Sequence, residues 1–323
     1  MPTPLEEMPN LGKELGLSLF VKRDDCTGIA FGGNKIRQLE FYFGQALEQG
    51  ADTVLITGAV QSNFVRSVAA VAGKLNMQCH VQLEERVSDP SPLYRDNGNV
   101  LLDKLLGAVI HHFPEGENEA AADAAMAVLA SKLAAEGRKP YVIHLGPKHF
   151  PLGGYGYVNA AIELSEQLQT SHKHLQAFDE IYIGSGSALT HAGLLVGLRA
   201  LGIDTPVKGV CVRRGVEAQK PRVLERANAL IEGAGLPLRL SDSDIDVFDG
   251  TLAPGYGMLN DQTKQAILLT ANKEGLFLDP VYTGKVMAAI IKKARGGVIA
   301  GKNILFWHTG GTPVLFSYQD QLS

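Results

Sequence analysis

A lysine stands directly behind two glycines and an asparagine in the segment FGGNK, residues 31–35. Lysine amines act as nucleophiles when partial burial or a nearby charge lowers their pKa, and their characteristic product is a Schiff base with a carbonyl compound. Glycines leave room for a ligand to approach closely. We therefore predict that Lys35 is a reactive amine, with an ordinary solvated surface lysine as the alternative.

A second segment, GSGSALTHAG at 184–193, follows the apolar run EIYI and opens a predicted helix. Backbone N–H groups at a helix N-terminus bind anions, and small residues let an anion approach them. A phosphate is the expected guest, and a strand-to-helix turn with capping serines is the alternative. A phosphate site together with a reactive Lys35 indicates a phosphorylated aldehyde, pyridoxal phosphate, as the cofactor.

Three more segments combine glycine with polar groups: GAVQSN (58–63), DPVYTGK (279–285) and HTGG (308–311). In the first, Ser62 and Asn63 open a predicted helix. The N-terminus of that helix offers N–H groups to a carboxylate, and an amide side chain can hold a ring hydroxyl. Helix capping by Ser62, without chemistry, is the alternative interpretation.

These segments must be positioned by the elements around them. Short β-branched runs alternate with helical segments along most of the chain, which predicts βαβ units and a parallel sheet covered on both faces. Such sheets bind ligands at the carboxyl ends of their strands. The predicted strands are TVLIT (53–57), QCHVQLE (78–84), AVIHHF (108–113), PYVIHL (140–145), EIYIG (180–184), VKGVCV (207–212) and NILFWH (303–308). The loop GPKHFPLGGYGY, 146–157, is the best candidate for a domain boundary.

The bulk properties exclude several classes of protein. The chain has 323 residues and a net charge of −4, so a nucleic-acid partner is not expected. It has no apolar run long enough for a transmembrane helix and no signal peptide at its start, and its three scattered cysteines suit a reducing compartment. We therefore expect a cytoplasmic protein without a membrane partner. The pairs His111–His112 and HKH (172–174) lack metal-ligand spacing, so no metal site is predicted.

Six segments in order along the chain resemble the fold-type II pyridoxal-phosphate enzymes of the tryptophan synthase β superfamily. Within that group the chain is similar to the D-cysteine desulfhydrase and 1-aminocyclopropane-1-carboxylate deaminase family. The resemblance runs from about Thr3 to Tyr318 and depends on all six motifs together. The segments are VKRDDCTGIAFGGNKIRQLEF, GAVQSN, GSGSALTHAG, APGYG, LDPVYTGK and FWHTGGTPVLF.

The resemblance implies an α/β fold of two domains, each a mostly parallel twisted sheet covered by helices. The large domain, which binds pyridoxal phosphate, would comprise residues 1–38 plus 151–323. The small inserted α/β domain would comprise residues 39–150, with the active site in the cleft between the two. A homodimer is also implied.

The resemblance further implies roles for individual residues. Lys35 matches the lysine that carries the cofactor, and Gly32 and Gly33 would let the cofactor ring approach it. Asn63 matches the residue bonded to the cofactor's phenolic oxygen, and Ser62 one that holds or deprotonates the substrate. The other implied positions are the phosphate loop, the neighbour of Lys35, two active-site tyrosines, two threonines near the pyridine ring and one further substrate ligand: Gly186, Ser187, Ala188, Leu189, Thr190, Asn34, Tyr256, Tyr282, Thr283, Thr309 and Gln61.

Two threonines distinguish between the reactions of this family. The deaminases that the chain resembles have a glutamate in DPVYEGK where this chain has Thr283, and they read HLGG where it has Thr309. A hydroxyl leaves the pyridine nitrogen largely neutral, which suits β-elimination. The working hypothesis is therefore an α,β-elimination on a small amino acid, D-cysteine, which gives pyruvate, ammonia and hydrogen sulfide.

Other reactions remain open at this point. The length of GPKHFPLGG, 146–154, suits the deaminases instead. If Lys148 or His149 faces the pocket and binds substrate, an anionic substrate such as cysteate is favoured; solvated loop residues are the alternative. Leu189 and Phe64 also replace smaller or polar residues that are usual in relatives. Deamination of 1-aminocyclopropane-1-carboxylate, dehydration of D-serine, racemisation and a non-catalytic pyridoxal-phosphate binder are the further alternatives.

Overall fold

The computed structural model describes residues 2–146, 148–171 and 177–322, and the predicted alternation of strands and helices is confirmed there. The histidines of the HKH segment lie outside the described residues. The strands are β1 (Leu5–Glu7), β2 (Ser18–Arg23), β3 (Thr53–Ala59), β4 (Gln78–Glu84), β5 (Val109–Phe113), β6 (Pro140–Ile143), β7 (Glu180–Ser185), β8 (Val207–Cys211), β9 (Asp246–Phe248) and β10 (Asn303–His308).

Helices follow most of the strands. They are α1 (Pro9–Leu15), α2 (Asn34–Glu48), α3 (Asn63–Lys74), α4 (Pro92–Asp96), α5 (Asn99–Leu105), α6 (Glu119–Ala135), α7 (Tyr155–Thr170), α8 (Leu189–Ala200), α9 (Val216–Gly233), α10 (Asp261–Glu274), α11 (Thr283–Arg295) and α12 (Gln319–Leu322). Among the described residues, no helix has the length and apolar character needed to cross a membrane.

The strands form two sheets. The larger has the order β1-β2-β10-β7-β8-β9 and the smaller the order β5-β4-β3-β6. Every pairing is parallel except that of β1 with β2. All seven residues of β3 are buried, as expected for a parallel strand covered by helices on both faces. The structure is therefore the mixed α/β fold that the sequence predicted.

The two sheets use different parts of the chain. All strands of the smaller sheet lie between residues 53 and 143, and all strands of the larger sheet lie outside that range. Helix α2 crosses the predicted boundary at residue 38 without a break. The bounds of 39 and 150 for an inserted domain therefore stay a prediction.

The second half of the glycine-rich segment, residues 152–157, has regular secondary structure. A short 3₁₀ turn covers Leu152–Gly154, and α7 already begins at Tyr155. A Cβ atom at Gly154 would lie 2.5 Å from the Leu230 side chain, and one at Gly156 would lie 2.1 Å from a backbone oxygen. These glycines therefore serve close packing between elements rather than a flexible linker.

Candidate active site

A pocket lies between the two sheets, where the carboxyl ends of β3, β7 and β10 meet. Most of the residues predicted for the site line it: Asn34, Lys35, Ser62, Asn63, Gly186, Ser187, Ala188, Thr190, Tyr256, Tyr282 and Thr309. Five others do not: Gln61, Lys148, His149, Leu189 and Thr283. Parallel strand ends thus bring the predicted motifs together, as sheet geometry requires.

Lys35 lies in the first turn of α2 and its side chain enters the pocket. Its Nζ atom lies 5.0 Å from the centroid of the Phe64 ring. Burial, with no opposing charge among the described residues, lowers the pKa of this amine to about 8. A substantial neutral fraction near neutral pH is what a nucleophile or a general base needs.

The two glycines before Lys35 are required by the chain itself. Gly32 has a φ of 60° and a ψ of −156°, a conformation open almost only to glycine. A Cβ atom there would lie 2.2 Å from the backbone oxygen of Asp25, and one at Gly33 would lie 3.1 Å from that of Thr309. The expectation was that the pair makes room for the cofactor. The structure shows that the pair lets this loop pack against neighbouring backbone next to Lys35. Approach of the cofactor ring to the pair stays a prediction.

The N-terminus of α3 supplies a second wall of the pocket. Ser62 is the N-cap residue, since its Oγ accepts a hydrogen bond from the backbone N–H of Val65. The Asn63 Oδ1 atom accepts a hydrogen bond of 2.9 Å from Asn99 Nδ2. The N–H groups of the Asn63 amide are therefore available to an acceptor in the pocket, as a residue bonded to a phenolic oxygen requires.

Gln61 lies beside these two residues in sequence but is buried away from the pocket. Its Nε2 atom donates to the carbonyl oxygens of Tyr94 and Asn97, and its Oε1 atom accepts from the backbone N–H of Asn99. The side chain thus holds the segment between α4 and α5. Its predicted role as a substrate ligand stays a prediction.

The loop between β7 and α8 forms the end of the pocket expected to bind phosphate. Ala188 adopts a left-handed conformation, with a φ of 74°, and no side chain caps the N-terminus of α8. The Thr190 Oγ1 atom accepts hydrogen bonds of 2.8 Å from Asn34 and from Gln38. Since both of its lone pairs are used, its proton is available to an anion. Leu189 is fully buried in the apolar cluster beneath the loop, so its size leaves the pocket unaffected.

Two tyrosines face each other on the opposite side. The hydroxyl oxygens of Tyr256 and Tyr282 lie 3.0 Å apart, and burial, with Tyr256 nearby, raises the pKa of Tyr282 well above its usual value. Buried Asp279 accepts hydrogen bonds from the backbone N–H groups of Tyr282 and Thr283. The Thr283 hydroxyl also donates to Asp279, at 2.7 Å, whereas Thr309 lines the pocket.

The sequence reasoning missed the charged rim of the pocket. Glu119, at the start of α6, forms ion pairs with Arg213, Arg214 and Arg222. Burial by itself would raise the pKa of Glu119, but the three arginines lower it. Arg86, which follows β4, also lines the pocket and pairs with Glu84 at 2.7 Å. Glu119 is 94 to 103 residues away from its three arginines, so no local motif marks that cluster. For Arg86, its position directly after a strand was a usable signal.

Lys148 and His149 lie in the loop after β6. Lys148 is exposed, and His149 contacts Asp123 rather than the pocket interior. The solvated-loop interpretation of Lys148 is thus favoured by its exposure. A role for either residue in substrate binding stays a prediction.

These features fit pyridoxal phosphate. Lys35 offers a buried amine, Asn63 has free amide donors, and Thr190 with the uncapped N-terminus of α8 offers donors for a phosphate. An aldehyde, a phenolic oxygen and a phosphate are the groups of that cofactor which such donors and nucleophiles match. Asn34, Lys35, Asn63, Gly186, Ser187, Ala188, Thr190 and Thr309 would hold it.

Comparison with known proteins gives the same assignment. A family described as "Pyridoxal-phosphate dependent enzyme" matches residues 1–310. The chain is similar to a D-cysteine desulfhydrase of Salmonella typhi, with 43% identity over 98% of this chain and 94% of that protein. Its structure is similar to the crystal structure of an "ACC deaminase homologue", with a TM-score of 0.87, 34% identity, and coverage of 100% of this chain and 93% of the other.

A more distant likeness concerns the fold alone. A fungal L-serine ammonia-lyase from Rhizomucor miehei has a TM-score of 0.66 at 18% identity and covers 100% of this chain and 97% of its own. The predicted cofactor and fold type are confirmed by the family match and the structural neighbours. The family match covers residues 1–310 and includes the segment of Lys35, so the protein belongs to the pyridoxal-phosphate dependent enzymes.

Proposed function

We propose that this enzyme catalyses the α,β-elimination of D-cysteine to pyruvate, ammonia and hydrogen sulfide. The observation that carries the proposal is the pairing, in one pocket, of the Lys35 amine with the Tyr256–Tyr282 hydroxyl pair. An elimination needs a base for the Cα proton and a hydrogen-bond donor for the leaving group. The 43% identity to a D-cysteine desulfhydrase supports the choice of substrate.

Bound pyridoxal phosphate supplies the electron sink for charge that develops at Cα. With pyridoxal phosphate bound, the substrate amine would take the place of Lys35 on the cofactor until the product leaves, and the free, neutral Lys35 amine would take the proton from Cα. The bond from Cβ to sulfur would break as the Cα–Cβ double bond forms, and the sulfur would leave as hydrosulfide while the Tyr282 hydroxyl donates a hydrogen bond to it. Water then converts the released aminoacrylate to pyruvate and ammonia. The elevated pKa of Tyr282 keeps its hydroxyl protonated, so that it can donate a hydrogen bond to the sulfur.

The remaining residues position the reacting groups. Ser62 and the N-terminus of α3 would hold the substrate carboxylate, since helix N–H groups favour an anion. Asn63 would donate to the phenolic oxygen, with its side chain oriented by Asn99. We propose that Thr309 lies toward the pyridine nitrogen. Thr283 donates a hydrogen bond to Asp279, which in turn accepts one from the backbone N–H of Tyr282. Thr283 would therefore act by helping to position Tyr282.

The substrate is tested by assaying the purified holoenzyme on D-cysteine, with sulfide and pyruvate both measured. L-Cysteine, 1-aminocyclopropane-1-carboxylate, cysteate and D-serine are assayed in parallel. We expect equal amounts of sulfide and pyruvate from D-cysteine, with the largest kcat/KM of the set. A larger kcat/KM for any other compound would overturn the assignment, and ammonia without sulfide from the cyclopropane amino acid would indicate a deaminase.

One observation favours a second candidate. The structure with a TM-score of 0.87 to this chain is named an ACC deaminase homologue. Deamination of 1-aminocyclopropane-1-carboxylate would need the same Lys35 and tyrosine pair. Thr283 and Thr309, in place of the residues of the deaminases, make it the less favoured reaction.

We also propose that the enzyme is a cytoplasmic homodimer. Cys26, Cys79 and Cys211 are all free, and Cys26 is exposed, which supports a reducing compartment. The resemblance to the fold-type II family supports the homodimer. Fractionation of cells that produce the protein, followed by gel filtration with light scattering, should find it in the cytosol at twice the mass of one chain. A membrane or secreted fraction, or the mass of one chain, would contradict the proposal.

A further inference from the structure

One group of described side chains at the edge of the pocket has the composition of a metal centre: Asp123, His144 and His149. Asp123 lies in the second turn of α6, His144 directly follows β6, and His149 lies in the loop beyond. One ligand atom from each lies within 4.8 Å of the other two. No sequence motif marked the group, because its members come from two elements and a loop.

The distances suit ligands of one ion better than hydrogen bonds. Asp123 lies 3.8 Å from His144 Nδ1 through one carboxylate oxygen and 3.7 Å from His149 Nε2 through the other. Hydrogen bonds between nitrogen and oxygen span about 2.7–3.2 Å, so neither contact is one. Ligands at about 2.0–2.1 Å from a tetrahedral ion lie about 3.3 Å from one another. Closing the group around one ion would therefore need the carboxylate and the ring nitrogens to approach by about 0.5 Å. The two rings, which are stacked in parallel, would also have to turn toward a common point.

The surrounding chain keeps space for the carboxylate and leaves a nitrogen without a partner. Gly146 has an ordinary φ, yet a Cβ atom there would lie 2.7 Å from Asp123 Oδ2. The buried His144 Nδ1 atom has no hydrogen-bond partner in the described chain. The two imidazole rings stack in parallel, 3.8 Å apart.

We propose that Asp123, His144 and His149 bind one divalent transition-metal ion of the zinc class. Imidazole nitrogen with one carboxylate selects such ions over magnesium or calcium, which prefer oxygen ligands. Three protein ligands leave a fourth position open to water or another small ligand. Asp123 and Gly146 both line the pocket that contains Lys35, so the ion lies at its wall. The site is independent of the substrate that the enzyme uses.

The test is isothermal titration of Zn²⁺ into untagged holoenzyme that has been freed of unbound cofactor, with Co²⁺ absorption as a second measurement. We expect one ion per chain and a visible Co²⁺ spectrum of a four-coordinate site. His149→Ala and Asp123→Asn should each raise the Kd for Zn²⁺ by at least about 10-fold. Loss of a residue that only hydrogen-bonds to a ligand already costs about 10-fold to 100-fold in metal affinity.

His111→Ala is the matched control. His111 belongs to a second close histidine pair, with its Nε2 atom 3.0 Å from His80 Nδ1 and the rings stacked. Among the described residues no carboxylate lies close enough to complete a three-ligand group there. The variant should bind Zn²⁺ as the parent protein does. The proposal is wrong if the parent protein binds no ion, or if His149→Ala and Asp123→Asn bind as tightly as His111→Ala. Thermal unfolding of each variant before titration separates lost ligands from lost structure.

Discussion

Replacement of Lys35 by alanine is expected to lower kcat/KM for the elimination by at least about 1,000-fold. The variant loses the covalent attachment of the cofactor and the base for the Cα proton, and a positioned base alone contributes about 10²–10⁴-fold. The cofactor absorbance that remains with the protein after dialysis should also disappear. Sulfide release at the parent rate would exclude both roles of Lys35.

The same replacement should leave the fold intact. The Lys35 amine is buried beside the Phe64 ring without an opposing charge among the described residues, so its removal relieves a desolvation cost rather than breaking an ion pair. The free energy of unfolding of the cofactor-free variant should therefore equal or exceed that of the cofactor-free parent protein. Lys35→Arg is the control, since it keeps a positive charge but cannot form the covalent link. It should be as inactive as the alanine variant.

Much of the site could be predicted from the sequence because the chemistry lies at strand ends. Ser62 follows β3, Gly186 follows β7 and Thr309 follows β10, and in parallel sheets such ends converge. Short apolar runs marked those strands, so the convergence needed no long-range information. The strands β1, β2 and β9 were not foreseen. Strands β1 and β9 have three residues each, and so short a run carries no periodicity. Strand β2 is buried over four successive residues and therefore shows no alternation.

Other parts of the site depend on contacts that no local pattern records. Glu119 meets Arg213 across about a hundred residues, and each alone reads as an ordinary surface charge. Gln61 adjoins Ser62, yet its side chain is used to hold the segment that precedes α5. Phe64 replaces a polar residue that is usual in relatives, and only the structure shows that its ring lies under the Lys35 amine.

The glycine pair before Lys35 gives the second large expected effect. Gly32→Ala should lower the free energy of unfolding by about 3 kcal/mol or more, since an alanine would be strained at this φ and ψ and would also overlap backbone. The overlap is with the Asp25 carbonyl oxygen, at 2.2 Å, which is held in the chain and cannot rotate away as a side chain does. The Gly32 carbonyl also accepts a hydrogen bond from buried Arg66. Displacement of this loop moves Lys35, so we expect most of the bound cofactor and activity to be lost.

Gly28→Ala separates backbone strain from packing. Gly28 also has a positive φ, 94°, but a Cβ atom there would meet nothing within 4 Å. The variant should therefore pay only the strain, about 1–3 kcal/mol, and keep its cofactor. The free energy of unfolding in urea and the cofactor absorbance are measured for both variants. Equal losses of stability, with cofactor retained in both, would mean that contact with Asp25 does not position Lys35. A larger loss in Gly32→Ala, together with loss of cofactor, would mean that this glycine fixes the reactive amine through the packing of its own backbone.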